Sequence, residues 1–263
     1  MDFDIISKNW EKLAKTNPMW AICTSDHKKD GSWDQAEFYQ TGTVEIATVF
    51  EWLGGRHIEV ADRECALDFG CGVGRLSRAL SGHFGQVTGV DVAATMVAMA
   101  RTNNAALADK LAFVHNTRSD LSLFATDHFS FVYSSLVLQH ISYPESMDYV
   151  REFVRVLRPG GLAVFQAITQ DVRKLSPIRR LRDKISIRNR LARIGIGNGF
   201  AMRMNVVPEA EIRQVLQSAG AEIVNVATTN QACMAQDNRV QYIEQADCVA
   251  WVSKQFVVRK PKA

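Results

Sequence analysis

Three glycines at alternate positions, Gly70, Gly72 and Gly74, stand between two apolar patterns. Residues 65–69 before them are mainly apolar, and residues 76–80 after them follow a helical spacing. Glycine is needed where the backbone takes a positive φ or another group approaches it closely, and a helix N-terminus offers unpaired N–H groups. The stretch therefore predicts a strand, a tight turn and a helix start that cradle the polar part of a nucleotide-like ligand.

Two aspartates stand where they could contact such a ligand. Asp91 ends the second apolar run, 21 positions after Gly70, and an ionised carboxylate there accepts hydrogen bonds from both hydroxyls of a ribose. A helix cap for the segment beginning at Ala93 is the alternative. Asp68 lies on an otherwise apolar strand, where burial of an unpaired carboxylate is costly. We expect Asp68 to bind backbone amides or the cationic amino group of a ligand, or to brace the glycine turn.

The residue after the third glycine separates two nucleotide-binding families. The dinucleotide fingerprint requires glycine at position 75, where this chain has Arg75. Residues 68–74 instead resemble the acidic-x-G-x-G-x-G signature of class I S-adenosylmethionine-dependent methyltransferases. Residues 129–141 and the Pro-Gly-Gly turn within 155–162 resemble the same family. The resemblance covers residues 65–162 well and a closing strand pair loosely.

The resemblance implies S-adenosylmethionine as the cofactor and transfer of its methyl group as the reaction. It also places Asp68 beside the methionine part of the cofactor. Relatives often carry an acid after the third strand that touches the adenine, and Thr117 stands in its place here. We expect backbone N–H groups with Thr117 or Arg118 to hold the adenine. The full set of predicted cofactor-binding residues is Tyr39, Asp68, Gly70, Gly72, Gly74, Arg75, Asp91, Val92, Met96, Thr117, Arg118 and Ser135.

His140 is the candidate catalytic residue. It follows the fourth predicted strand, and ligands of open α/β sheets bind at the carboxyl ends of the strands. Alignment and desolvation can supply most of the acceleration of a methyl transfer, but a hydroxyl acceptor must also lose its proton. Histidine titrates near neutral pH and suits that task. The alternative is a histidine that hydrogen-bonds the loop backbone and only shapes the pocket.

Alternating strand and helix patterns from Cys65 onward must position these residues. Such repeats require right-handed crossovers and a mostly parallel sheet with helices on both faces. Residues 228–245 lack a long apolar helical pattern, which predicts an antiparallel last strand pair. We expect a doubly wound α/β fold with a seven-stranded sheet. The strands are predicted at 64–69, 86–91, 111–115, 129–135, 161–168, 221–227 and 246–252, and the core helices at 74–83, 94–105, 145–157 and 208–219.

Two segments lie outside this core. Residues 1–60 carry four of the five tryptophans and two helical patterns, the second starting near 32–34. Residues 171–203 hold ten lysines and arginines against two aspartates, a charge of +8 in a chain whose net charge is +3. We expect this basic segment and the N-terminal helices to cover the acceptor site, with an anionic acceptor; a solvated face is the alternative. The predicted organisation is one methyltransferase domain, with an N-terminal helical cap at 1–60, a core at 61–170 and 206–263, and a basic lid at 171–205.

Composition narrows the class of protein. With 263 residues and 47% hydrophobic residues, the chain can bury a substantial core. The chain has no run of about 18 apolar residues and no basic-then-apolar start, so we expect a cytoplasmic protein without a transmembrane segment. Five cysteines without a C-x-x-C pair argue against a disulfide framework or a metal cage, and no cluster of acids and histidines indicates a metal.

The sequence thus predicts methyl transfer to the hydroxyl oxygen of a small or medium acceptor, such as a sugar, a lipid-linked molecule or another metabolite. An RNA or protein methyltransferase that docks through its basic lid is one alternative, although no separate RNA-binding module accompanies the core. A non-catalytic subunit that binds S-adenosylmethionine is the other. The sequence indicates neither the acceptor nor the oligomeric state.

Overall fold

The structure is a computed structural model that describes residues 2–24, 28, 33–173, 204–232 and 239–262. The strands of the described residues are β1 (Cys65–Phe69), β2 (Gln86–Asp91), β3 (Leu111–His115), β4 (Phe129–Ser134), β5 (Leu157–Asp171), β6 (Glu222–Thr229) and β7 (Trp251–Arg259). They form one sheet in the order β3-β2-β1-β4-β5-β7-β6. Strands β1 to β5 pair in parallel, and β7 runs antiparallel between β5 and β6. The predicted doubly wound α/β fold is confirmed.

Local sequence signals explain where the helices begin. The helices of the described residues are α1 (Asp2–Thr16), α2 (Pro18–Ile22), α3 (Gln35–Gly54), α4 (Arg75–Leu80), α5 (Ala94–Asn103), α6 (Tyr143–Val156) and α7 (Glu209–Ser218). Asn17 and Pro18 separate α1 from α2, and the Asn17 side chain accepts a hydrogen bond from Trp20 N–H. Asp34 caps α3 by accepting from Glu37 N–H at 2.9 Å.

The last strand lies later in the chain than the sequence predicted. We expected it at 246–252, but β7 runs from Trp251 to Arg259, and residues 245–247 form a 3₁₀ turn. The buried apolar residues of the strand are Val252 and the run Phe256–Val258, which pair with β5. The early apolar cluster at 248–252 therefore marks only the beginning of the strand. Strand β5 also extends beyond its predicted bounds at both ends.

Helices cover both faces of the sheet. On one face Phe153 of α6 packs against Phe165 of β5, and on the other Leu80 of α4 shares a core with Phe131 of β4. A third cluster joins α1, α2 and the start of α3 to Val73 of the glycine turn. The N-terminal helices therefore lie at the ends of β1 and β2 where a ligand is expected. None of the helices within the described ranges is long and apolar enough to cross a membrane.

Candidate active site

A cavity of about 410 Å³ lies at the carboxyl ends of β1, β2 and β4. Helix α1 contributes Phe3, Ile6 and Trp10 to its wall, and α2 contributes Ile22. This is the edge at which open α/β sheets bind their ligands. The structure brings together on this wall the predicted residues Gly70, Gly72, Arg75, Asp91, Val92, Met96, Ser135 and His140.

The glycine turn forms the part of the wall next to β1. Gly70 and Gly72 have φ values of +77° and +52°, in the left-handed region that a side chain disfavours. A Cβ on Gly70 would lie 2.3 Å from Val137 Cγ2, and a Cβ on Gly72 would lie 2.5 Å from Ile22 Cδ1. The missing side chains therefore allow the loop after β4 and helix α2 to approach the turn, while its backbone lines the cavity.

Asp91 joins the end of β2 to the glycine turn. Its Oδ2 accepts a hydrogen bond from Gly72 N–H at 2.8 Å, and its Oδ1 accepts one from Ala93 N–H at 2.9 Å. Burial raises the pKa of the Asp91 carboxyl, and the two backbone N–H groups offset part of that rise. Each carboxylate oxygen has a second lone pair, so the same group can still accept hydrogen bonds from a ligand.

Asp68 is fully buried on β1 and is not part of the cavity wall in the described residues. Ser77 Oγ donates a hydrogen bond to Asp68 Oδ2 at 2.6 Å, while Oδ1 has no hydrogen-bond partner in the described chain. Burial raises the pKa of Asp68 to about 7, although Ser77 and Arg75 act to lower it. The bond to α4 supports the interpretation of Asp68 as an internal brace of the turn.

Two predicted cofactor residues support the turn from behind. Tyr39 is buried on α3, and its hydroxyl donates a hydrogen bond to the Val73 carbonyl at 2.9 Å. Gly74 has a φ of +87° and is the N-cap residue of α4. Neither residue is on the cavity wall as far as the structure describes it. Both act on the shape of the turn.

The loop after β3 places a different residue at the cavity than expected. Thr117 and Arg118 are exposed and lie outside the described wall, whereas Asn116 is buried and lines it. The Asn116 side chain accepts a hydrogen bond from Arg118 N–H at 2.9 Å and donates one to the Asp120 carbonyl at 2.8 Å. These two bonds turn the loop so that its next residues face outward. In the sequence, Asn116 could have been identified as a site residue because it is a polar residue directly after a predicted strand.

A buried polar network that sequence reasoning missed lies beside the glycine turn. Arg75 Nη2 and Glu45 Oε2 form an ion pair at 2.8 Å, with about 5% and 3% of their side chains exposed. Tyr133 OH donates a hydrogen bond to Glu45 Oε1 at 2.9 Å. Gln231 Nε2 donates to Ser135 Oγ at 2.7 Å and lies 3.4 Å from the same glutamate oxygen. In the sequence, Glu45 could have been identified as an acid on the apolar face of a helical pattern. No local sequence pattern indicates a role for Gln231.

The loop after β4 carries His140. Leu136 in this loop has a φ of +61°, an uncommon backbone conformation for a residue with a side chain. A 3₁₀ turn, Leu138–His140, then brings the imidazole to the cavity wall. The Trp10 ring of α1 meets the imidazole edge-on, with 5.4 Å between the ring centroids. Helix α1 therefore restrains the predicted catalytic side chain.

The chain that follows the basic segment is anchored to this same loop. Asn205 N–H donates to the Gln139 carbonyl at 2.7 Å, and Asn205 Nδ2 donates to the Ile141 carbonyl at 2.7 Å. Met204 lines the cavity. Residues 174–203, which make up most of the predicted lid, lie outside the described residues.

These features fit the cofactor that the fold implies. The glycine turn presents backbone to the cavity, and Asp91 can accept hydrogen bonds from a ribose. Gln231 lines the cavity, and its buried Oε1 has no hydrogen-bond partner within the described chain, so it can accept from an amino group. Within the described residues, no three His, Cys, Asp or Glu side chains are grouped closely enough to hold a metal ion.

Comparisons with known proteins identify methyltransferases as relatives of this chain. Residues 66–161 match the family model described as a methyltransferase domain. The chain is 31% identical over 163 residues to a malonyl-[acyl-carrier protein] O-methyltransferase of Enterobacter lignolyticus, covering 58% of this chain and 61% of that protein. It is 27% identical over 140 residues to a ubiquinone biosynthesis O-methyltransferase of Stutzerimonas stutzeri, covering 53% and 58%. The chain thus spans about three fifths of the length of these two relatives.

The fold also matches a solved structure along nearly the whole chain. Magnesium protoporphyrin IX methyltransferase from Synechocystis PCC 6803, with bound S-adenosylhomocysteine, superposes with a TM-score of 0.61 at 18% identity. The match covers 99% of this chain and 100% of that one. At this identity the likeness shows the fold alone. With the strand order and the glycine turn, the family match identifies residues 66–161 as a methyltransferase domain with the class I fold.

Proposed function

We propose that this protein transfers the methyl group of S-adenosylmethionine to a hydroxyl oxygen of a small or medium-sized organic acceptor. The observation that carries the proposal is that the glycine turn, Asp91 and His140 line one cavity. This shared wall supports a cofactor and an acceptor that bind side by side, with His140 beside the acceptor. That both matched relatives are named O-methyltransferases supports an oxygen acceptor.

The residues of this chain would hold the cofactor along the ends of β1 and β2. The backbone of the glycine turn would face its polar part, Asp91 its ribose, and Asn116 the base. Gln231 Oε1 would accept a hydrogen bond from its amino group. When bound, S-adenosylmethionine supplies a methyl group activated by a positively charged sulfur. The contribution of the protein is to align the two reactants and exclude water from between them.

His140 is proposed to take the hydroxyl proton of the acceptor on a ring nitrogen. A neutral imidazole is needed for this step, and histidine is largely neutral near pH 7. Trp10 packs on the ring edge and limits its rotation. Apolar side chains from α1 and the loop after β4, Phe3, Ile6 and Ile141, share the wall with His140. They favour an acceptor with an apolar body.

Calorimetry and a methyl-transfer assay test the proposal. We expect S-adenosylmethionine and S-adenosylhomocysteine to bind and NAD not to bind. Isotope-labelled methyl from S-adenosylmethionine should appear in an ether or ester product when the protein is incubated with a panel of hydroxyl acceptors. Tight NAD binding without S-adenosylmethionine binding would refute the cofactor assignment. Cofactor binding without turnover across the panel would favour a non-catalytic subunit, and salt-dependent binding of RNA would favour the macromolecular alternative.

A further inference from the structure

Two buried glutamine side chains connect the sheet to His140. Gln166 lies on β5 and Gln139 in the 3₁₀ turn that ends at His140, and they are 2% and 6% exposed. Gln166 Nε2 lies 3.4 Å from Gln139 Oε1, and Gln139 Nε2 lies 3.2 Å from His140 Nε2. The three side chains form a continuous hydrogen-bonded row from β5 to the cavity wall, which we call the amide relay.

A backbone group fixes the direction of each bond in the amide relay. Leu136 N–H donates a hydrogen bond to Gln166 Oε1 at 3.1 Å. A backbone N–H can only donate, so Gln166 must present its oxygen to Leu136 and its amino group to Gln139. Gln139 must then present its oxygen to Gln166 and its amino group to His140. Turning either amide over would bring two donors or two acceptors together.

The other end of the relay is also satisfied. Gln166 Nε2 has a second hydrogen, which it donates to Ser253 Oγ on β7 at 2.9 Å. The Ser253 hydroxyl in turn lies 3.1 Å from Thr229 Oγ1 on β6. Both hydrogens of the Gln166 amide and its oxygen are therefore used. A fully satisfied buried network of this kind holds its members in one arrangement.

We propose that Gln139 and Gln166 are positioning residues that hold His140 as a neutral imidazole, with the lone pair on Nε2 and the proton on Nδ1. The Gln139 amino group donates, so the nitrogen facing it must accept. An imidazolium carries hydrogens on both nitrogens and has no lone pair for this bond. The relay therefore favours the neutral form. The catalytic use of that form rests on the proposed function; the position of the proton does not.

In this arrangement the one lone pair in the ring plane of the neutral imidazole is occupied by the Gln139 amino group. Uptake at Nε2 requires the Gln139 amide to give way, so the relay opposes early protonation of His140. The described cavity wall also carries other charged or titratable groups, namely Cys23, Glu45, Cys71, Arg75, Asp91, Glu145, Tyr149 and Arg239. The described residues that α1 contributes to the wall do not titrate. These groups are present in the wild type and in the relay variants alike. A difference in the His140 tautomer between them therefore reports the effect of the relay.

Nitrogen NMR of the ligand-free protein labelled with ¹⁵N-histidine tests the proposal directly. The His140 signals are assigned by their loss in His140→Gln, and the tautomer is read at a pH above the titration of His140. We expect Nδ1–H in the wild type. Gln139→Glu places a carboxylate opposite Nε2 and should move the proton to Nε2. Gln139→Met removes the donor and should reduce the Nδ1–H population. Gln255 is a buried glutamine on β7 that lies opposite Gln166 but donates its hydrogen bond to Tyr242 OH and not to the relay, so Gln255→Met should leave the His140 spectrum unchanged.

A wild-type spectrum with the proton on Nε2 would overturn the proposal, and that result needs no variant to fold. An unchanged tautomer in folded Gln139→Glu would overturn it too. The experiment contains neither cofactor nor acceptor, so its failure is distinct from failure of the proposed function. Absence of methyl transfer would leave the tautomer as observed, and the wrong tautomer would leave cofactor binding as observed.

Discussion

The carboxylate of Asp91 at the end of β2 accepts a hydrogen bond from Gly72 N–H, 2.8 Å away in the turn that follows β1. The other oxygen accepts from Ala93 N–H at the start of α5. One side chain thus braces the glycine turn and holds the residue just before α5 while lining the cavity. The N-cap residue of α5 is Ala93 and no side chain caps this helix, so the helix-cap interpretation of Asp91 is wrong, whereas its place on the cavity wall is compatible with ligand binding.

Replacing Asp91 should therefore affect both binding and stability. We expect Asp91→Ala to weaken S-adenosylmethionine binding by roughly 1–3 kcal/mol, the scale of hydrogen bonds to a charged group. The free energy of unfolding should fall by about 1–2 kcal/mol because two backbone N–H groups lose their acceptor. Asp91→Asn keeps one acceptor oxygen and should show smaller losses. Calorimetry and urea unfolding measure the two effects, and unchanged cofactor affinity in folded Asp91→Ala would limit the residue to its structural role.

The buried carboxyl of Asp68 should make stability depend on pH. Its pKa is raised from 3.8 to about 7 in the folded protein, mainly by burial. Between these values the folded state binds more protons than the unfolded state, so the free energy of unfolding falls as pH rises from about 4 to 7 and then levels off. The pKa shift of Asp68 corresponds to a decrease of at most about 4 kcal/mol in the free energy of unfolding.

Urea unfolding of the wild type and Asp68→Asn across this pH range measures that dependence. Asparagine cannot ionise, but its side-chain oxygen can still accept the hydrogen bond from Ser77 Oγ. We expect the free energy of unfolding of the wild type to fall relative to that of the variant as pH rises from 4.5 to 8. The substitution can also change stability by an amount that does not depend on pH, and this does not affect the comparison. A stability difference that is constant over this range would show that Asp68 stays ionised in the folded protein.

Local patterns in the sequence predicted the parts of the site that are built locally. The glycine turn and Asp91 each carry their signal in a few neighbouring residues, and the structure places them on one cavity wall. Glu45 and Gln231 are 186 positions apart and meet only because α3 and the chain after β6 pack against β4. No pattern within either segment indicates that contact. Thr117 turns outward for a different and local reason, because Asn116 forms hydrogen bonds within its own loop.

Breaking the buried ion pair between Arg75 and Glu45 should be costly. Glu45→Gln leaves the Arg75 charge buried without its partner and should lower the free energy of unfolding by roughly 3–5 kcal/mol. The double variant Glu45→Gln with Arg75→Met removes both charges and should recover a large part of that loss. Urea unfolding of the two single variants and the double variant gives the coupling. Additive losses would mean that the two side chains stabilise the protein independently.

Loss of the contact between Trp10 and His140 should affect acceptor binding and turnover more than cofactor binding. Trp10 lies on α1 with its ring 5.4 Å from the imidazole, and both side chains line the cavity. Trp10→Leu removes the aromatic edge that restrains the imidazole, so we expect kcat to fall and the KM for the acceptor to rise, each about three- to tenfold, equivalent to about 0.7–1.4 kcal/mol. Trp10→Phe keeps an aromatic ring there and should retain most activity. Calorimetry should give the same S-adenosylmethionine affinity for both variants and the wild type. If Trp10→Leu loses cofactor affinity by the same factor as it loses kcat/KM, α1 supports the cofactor site and not the acceptor.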